Sequence, residues 1–190
     1  MLVFVSSLIG YLLGSLPFGV FIAKLHGICI FDHGSGNPGA TNVLRVLGKR
    51  AGYMVFFCDA LKGIVAACIG LHFDCPYWTL LSALLGHSYS LFIHFKGGKG
   101  VATLIGGLLV LIPQVLMIGL IVWLCVFKFS HYVSLASIAF VVSLPLMSMI
   151  YYPWDIALRH VPALTLFAGL VLWRHRSNLR RLFTKTENRF

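Results

Sequence analysis

Long apolar runs separated by short polar stretches dominate this chain. A helix needs about 20 apolar residues to cross the hydrocarbon of a bilayer. Runs that approach this length fall at residues 2–24, 51–72, 77–94, 101–112, 114–128, 132–150 and 155–173. The predicted fold is therefore all-α and polytopic. The fourth and fifth runs are short and meet at Pro113, so they could instead form one kinked helix. The hydrophobic pattern alone leaves six or seven spans.

Charge decides between the two counts, because Lys and Arg accumulate on the cytoplasmic side. With seven transmembrane helices and the N-terminus outside, the inner segments hold Lys24, Arg45, Lys49, Arg50, Lys96, Lys99 and Lys128. They also hold the basic tail of Arg174, Arg176, Arg180, Arg181, Lys185 and Arg189. The outer connections near 71–77, 113 and 151–155 carry no Lys or Arg, and Arg159 alone lies near that side. Six spans would export the tail. The expectation is seven, with the C-terminus cytoplasmic and the fourth and fifth spans shallow or tilted. Residues 26–50, 94–100, 128–137 and 174–190 then share one face.

Composition supports a membrane-integral protein and a single domain over residues 1–190. The chain is 59% hydrophobic and only 11% charged, against about 25% charged in soluble domains. Its net charge of +10 suits an anionic membrane surface. With no soluble basic domain, no nucleic-acid partner is expected. Five cysteines with no Cys-x-x-Cys pair imply neither a disulfide framework nor a metal site. The N-terminus lacks the basic region of a secretory signal, so residues 1–23 are expected to remain as the first span.

Two segments break the apolar pattern. The first is His33-Gly34-Ser35-Gly36-Asn37-Pro38-Gly39-Ala40-Thr41-Asn42-Val43-Leu44-Arg45, and the second is Lys96-Gly97-Gly98-Lys99-Gly100-Val101-Ala102-Thr103. Glycine lets backbone N–H groups turn toward a ligand, and Arg or Lys supplies charge. This is the equipment for gripping a phosphate. In the first segment, Asn37-Pro38-Gly39 predicts a tight turn. Thr41 or Asn42 is expected to cap a short helix carrying Arg45. The second segment lacks the G-x-x-x-x-G-K-[ST] order and the preceding strand of a nucleotide-binding loop. A backbone nest with Lys99 as its point charge is the expectation there. A phosphorylated lipid precursor is the substrate class that fits such grips in such a chain.

Other polar residues lie within the spans. Asp59 and Lys62, three apart, share a helical face as a structural ion pair or a substrate contact. Ser134 and Ser137 open the sixth span, and His175 and Asn178 share a face in the tail. Arg176 and Arg180 could simply meet anionic lipid. None of the eight histidines has an acid five residues later, which excludes a His-x4-Asp dyad, and no Gly-x-Ser-x-Gly elbow occurs. Only five acidic residues are present, and a metal centre or carboxylate pair is hard to assemble from them.

Gly14-Ser15-Leu16-Pro17-Phe18-Gly19, Asp59-Ala60-Leu61-Lys62-Gly63, Gly86-His87, Tyr132-Val133-Ser134-Leu135-Ala136-Ser137 and Arg174-His175 with Asn178 accompany the two glycine-rich segments in order. In this the chain resembles the bacterial integral-membrane acyl-phosphate:glycerol-3-phosphate acyltransferase family. The resemblance implies a seven-span fold with a cytoplasmic site in the bacterial plasma membrane. It implies transfer of a fatty acyl group from acyl phosphate to the 1-hydroxyl of sn-glycerol 3-phosphate, the first step of phospholipid synthesis. It implies no cofactor or metal, and a functional link to the enzyme that makes acyl phosphate.

By the same resemblance, Ser35, Arg45 and Lys99 hold phosphate, and Ser137, His175 and Asn178 lie at the substrate site. The expected catalytic set is Ser35, Arg45, Lys99 and His175. The expected substrate contacts add Asn37, Thr41, Asn42, Lys62, Lys96, Gly97, Gly98, Ser134, Ser137 and Asn178. Two positions depart from the family pattern. His131 stands where Arg usually precedes Tyr, and Lys185 stands where Gly usually precedes Thr-Glu.

Overall fold

Apolar helices interrupted by proline and by short polar turns make up the whole chain in the computed structural model, which describes residues 1–190. Ten α-helices follow in order: α1 Leu2–Ser15, α2 Phe18–Leu25, α3 Ala40–Leu47, α4 Lys49–His72, α5 Pro76–Ser88, α6 Val101–Leu111, α7 Pro113–Ser130, α8 Val133–Tyr151, α9 Trp154–Arg174 and α10 Arg176–Phe183. Two 3-10 turns, Ile30–Asp32 and Leu91–Ile93, complete the list of elements. Five helical stretches are long and apolar enough to cross a bilayer: residues 2–25, then α4, α7, α8 and α9. At 13 and 11 residues, α5 and α6 reach about 20 Å and 16 Å at 1.5 Å per residue. Both fall short of a hydrocarbon core of about 30 Å.

Each of the seven apolar runs contains helix, with two departures. The first run breaks at Leu16–Pro17, because Pro17 has no N–H to continue the ladder. The third does not extend to residue 94. Its helix stops at Ser88, and Ser90 Oγ accepts from Phe92 N to start the 3-10 turn. His94 and Phe95 then adopt left-handed backbone (φ 51° and 61°), which ends helical pairing. At Pro113 the fourth and fifth runs are separate helices, with Ile112 in non-helical backbone between them.

The helices fall into two compact units, residues 1–111 and 112–190. In the first, α5 packs on α1 and α6 packs on α4. Small residues allow close backbone approach without a lipid-excluding force between helices. A Cβ at Gly14 would lie 2.1 Å from Ala83 O, and one at Gly106 would lie 1.9 Å from Ala60 O. A separate apolar cluster joins Val20, Ile22 and Ala23 of α2 to Ile30, Val43 of α3, and Ala51 and Val55 of α4. It anchors the first glycine-rich segment onto the helices.

In the second unit α8 packs between α7 and α9, and α10 touches α8 and α9. Phe140, Leu144, Leu164, Phe167 and Val171 form its buried interior.

Candidate functional site

In the first unit, the break between α1 and α2 organises the polar groups. A continuous helix would pair Phe18 N–H with Gly14 O, but Phe18 N donates to Leu16 O instead. Gly14 O is left open within the backbone, and a buried side chain fills the gap. Lys62 Nζ donates to Gly14 O (3.0 Å) and Leu16 O (2.9 Å). It also pairs with Asp59 Oδ1 at 2.8 Å. His87 Nδ1 lies 3.1 Å from the same ammonium. Asp59, Lys62 and His87 are all buried. Ser90 Oγ donates to Ser15 O, serving a second carbonyl released by the break.

The structure thus surrounds the three N–H bonds of Lys62 with protein acceptors. The ion-pair alternative describes this geometry, and a direct substrate contact from Lys62 would require one of those bonds to be given up.

His87 links this centre to the second glycine-rich segment. Its carbonyl accepts from Gly98 N at 3.0 Å. A Cβ at Gly98 would sit 2.1 Å from His87 Nε2, so only glycine fits against the imidazole. The N–H of Gly98 is therefore used inside the protein, and close packing explains this glycine. Lys99 is half-buried and Lys96 exposed just before the N-terminus of α6. Pro38 of the first segment and Gly97 and Gly98 of the second line one small cavity, together with Lys62, His87 and Ser90. The two glycine-rich segments do meet.

The first segment is a ring of local hydrogen bonds. Asn37 Oδ1 accepts from Gly39 N, and Gly39 rather than Thr41 or Asn42 is the residue that precedes α3. The Asn37 turn sets the helix start two or three residues earlier than a Thr41 or Asn42 cap would. Asn42, almost fully buried, reaches back instead: Oδ1 accepts from Ser35 N (2.8 Å) and Nδ2 donates to His33 O (3.0 Å). Asn42 shapes the loop from within. Ser35, Thr41 and Arg45 remain exposed.

In the second unit Glu187 is the hub. Ser134 Oγ (2.9 Å) and Asn178 Nδ2 (2.7 Å) donate to its Oε1, and Arg181 Nε (2.7 Å) donates to Oε2. Burial raises the Glu187 carboxyl, but the bonds from Asn178, Arg181 and Ser134 and the Arg181 charge outweigh it. They hold the group below the ordinary carboxylate range. Glu187 is a residue the sequence reasoning missed, although it is the one acid in an otherwise basic tail.

Stability from Glu187 is present above the ordinary glutamate value of about 4.3. It is lost as pH falls through the lower folded value. Glu187→Gln is expected to remove this acid-dependent loss, read as the pH dependence of the unfolding midpoint between about pH 3 and 6.

His175 is buried, and its Nδ1 lies 2.8 Å from Val171 O. A carbonyl only accepts, so Nδ1 carries the proton and Nε2 is the basic nitrogen of the neutral ring. Asn178 Oδ1 is buried without a hydrogen-bond partner. Ser137 accepts from Trp123 Nε1 at 3.3 Å. His131 and Lys185, the two departures from the family pattern, both have left-handed backbone (φ 59° and 57°). At Lys185 the usual glycine would hold that conformation without strain.

The profile described as glycerol-3-phosphate acyltransferase matches residues 4–185. A glycerol-3-phosphate acyltransferase of Aquifex aeolicus is 44% identical over 186 residues, covering 95% of each chain. That of Geobacillus kaustophilus is 42% identical over 184 residues, covering 95% of this chain and 92% of its own. Two crystal structures of PlsY, an integral membrane glycerol 3-phosphate acyltransferase, are similar at 41% identity, over 99% of this chain and 95% of theirs. The glycerol 3-phosphate form gives a TM-score of 0.90 and the lysophosphatidic acid form 0.88. This chain, an all-α polytopic membrane protein, belongs to the PlsY glycerol-3-phosphate acyltransferase family.

Proposed function

We propose that this chain transfers a fatty acyl group from acyl phosphate to the 1-hydroxyl of sn-glycerol 3-phosphate, giving lysophosphatidic acid and inorganic phosphate. One observation carries the reading: the chain matches, over 99% of its length, a relative crystallised in a glycerol 3-phosphate form and in a lysophosphatidic acid form. Purified protein in detergent, given palmitoyl phosphate and labelled glycerol 3-phosphate, is expected to form labelled lysophosphatidic acid. Absence of product under conditions where the protein stays folded refutes the assignment.

Acyl phosphate is already activated, and phosphate is a good leaving group. No covalent enzyme nucleophile is needed. The glycerol hydroxyl oxygen attacks the acyl carbon, an ester bond forms, and the bond from that carbon to the phosphate oxygen breaks. The hydroxyl proton passes to a substrate phosphate oxygen. The protein brings two anions together, and positioning of this kind contributes about 7–11 kcal/mol.

In this reading Ser35, Arg45 and Lys99 hold phosphate, with Asn37, Thr41, Lys96 and Gly97 beside them. Asn42 and Gly98 keep the loops in shape, and Lys62 fastens the helices beneath. By the family resemblance, Ser134, Ser137, His175 and Asn178 are substrate contacts as well. A His175 base is the competing mechanism. Direct attack predicts that His175→Ala keeps the low-pH limb of the kcat profile while lowering kcat by less than about 10²-fold. Loss of that limb together with a fall nearer 10⁴-fold assigns the proton to His175.

The same reading places the site on the cytoplasmic side of a seven-crossing protein with its N-terminus outside. The distribution of Lys and Arg supports it. Thiol labelling of cysteines introduced at positions 35 and 99 in intact cells tests it. Both are expected to be protected from an impermeant reagent, and opposite accessibilities overturn it.

A further inference from the structure

The exposed face of α10 carries chemistry that the acyl transfer leaves unused. Arg176, Arg180 and Phe183 recur at spacings of four and three, which places them on one side of the helix. All three are exposed, Phe183 at 86%. Trp173, 59% exposed at the end of α9, joins this face through Arg176. The Arg176 guanidinium stacks 4.9 Å from the Trp173 ring, and its Nη1 donates to Trp173 O at 3.1 Å. The opposite side of α10 is spoken for by buried Asn178 and by the Arg181–Glu187 pair. Two guanidiniums are thus bracketed by two aromatic rings along a surface that no protein group covers.

We propose that this face docks on anionic phospholipid, with Arg176 and Arg180 on headgroup phosphates and Trp173 and Phe183 in the acyl boundary. Charge complementarity selects the occupant. Guanidinium binds phosphate oxygens in pairs. Tryptophan favours the boundary between headgroup and hydrocarbon. Two arginines one turn apart can grip one phosphate or bridge two neighbours. The aromatic ends distinguish this face from a diffuse basic fringe, because they fix its depth in the bilayer.

The test uses the full chain in nanodiscs of phosphatidylcholine alone or with phosphatidylglycerol. Hydrogen exchange of α10 and retention of phosphatidylglycerol through detergent exchange are measured. The wild type is expected to protect α10 and retain phosphatidylglycerol only in the anionic discs, and 0.5 M salt is expected to reverse both. Arg176→Gln with Arg180→Gln is expected to weaken retention about 25-fold, from roughly fivefold per basic side chain near an anionic surface. Activity in detergent should be unchanged.

Lys49→Gln with Arg50→Gln removes the same charge from the start of α4 and is expected to leave retention intact. Equal loss in both double variants overturns the site in favour of a general basic surface. Equal α10 protection of the wild type in neutral and anionic discs also overturns it, because the protection then owes nothing to lipid charge. The salt response of the wild type decides the matter if the arginine variant fails to fold.

Discussion

Replacing Lys62 by methionine is expected to lower stability by about 3–5 kcal/mol, the range for removing one partner of a buried ion pair. The variant keeps the volume of the side chain and strips away its donors. Asp59 would be left as a charge 3% exposed beside His87, and the carbonyls of Gly14 and Leu16 would lose the ammonium that serves them. For a chain of this size the unfolding midpoint in detergent should fall by about 10 °C. Asp59→Asn is the informative contrast. It removes the carboxylate and leaves Lys62 on its two carbonyls, so its effect should be smaller. An Asp59→Asn loss equal to or larger than that of Lys62→Met would show that the ion pair, rather than the two carbonyl bonds, carries most of the effect.

Lys99→Gln is expected to lower kcat/KM by about 10²–10³-fold, comparable to removing one preorganised donor from a charged transition state. Lys99 stands just before Gly100 (φ 85°) and the first turn of α6. A fixed positive charge there adds to the partial positive charge of a helix N-terminus. The half-buried setting limits screening by water. Lys96, three residues earlier and exposed, should matter less, about tenfold or under. Steady-state assays with acyl phosphate and glycerol 3-phosphate measure both. A Lys99→Gln enzyme within threefold of wild type, with Lys96→Gln impaired, would move the grip to the other lysine.

Much of this arrangement was legible in the sequence because lipid imposes simple rules. Run length located a helix in every apolar segment, but the short ones are α5 and α6 of the third and fourth runs, whereas α7 of the fifth run, expected to be shallow, is long enough to cross. Element ends were less legible, since local backbone and polar side chains rather than hydropathy set them: α5 ends at Ser88, Ser90 opens the 3-10 turn that follows, and the Asn37 turn precedes the start of α3 at Ala40. The meeting of the two glycine-rich segments followed from charge placement, and the cavity lined by Pro38, Gly97 and Gly98 agrees with it. What glycine does at position 98 was not legible. A loop that cradles an anion and a loop that packs on an imidazole use the same letters, and only the His87 ring separates them. Glu187 was missed for a similar reason. A lone carboxylate in a basic tail looks solvated until two donors from the same tail and one from Ser134, 53 residues away, are seen to converge on it.

The interruption at Leu16–Pro17 also constrains how the chain is made. Within a bilayer every backbone carbonyl must find a donor. For Gly14 that donor is an ammonium 48 residues further along, while Leu16 O shares the same ammonium with Phe18 N–H. Until α4 is made, Gly14 O has only water to satisfy it, so the first helix is expected to settle fully into the hydrocarbon together with α4. A stalled nascent chain ending before residue 62 should leave residues 14–16 accessible to water, and one extended through α4 should bury them.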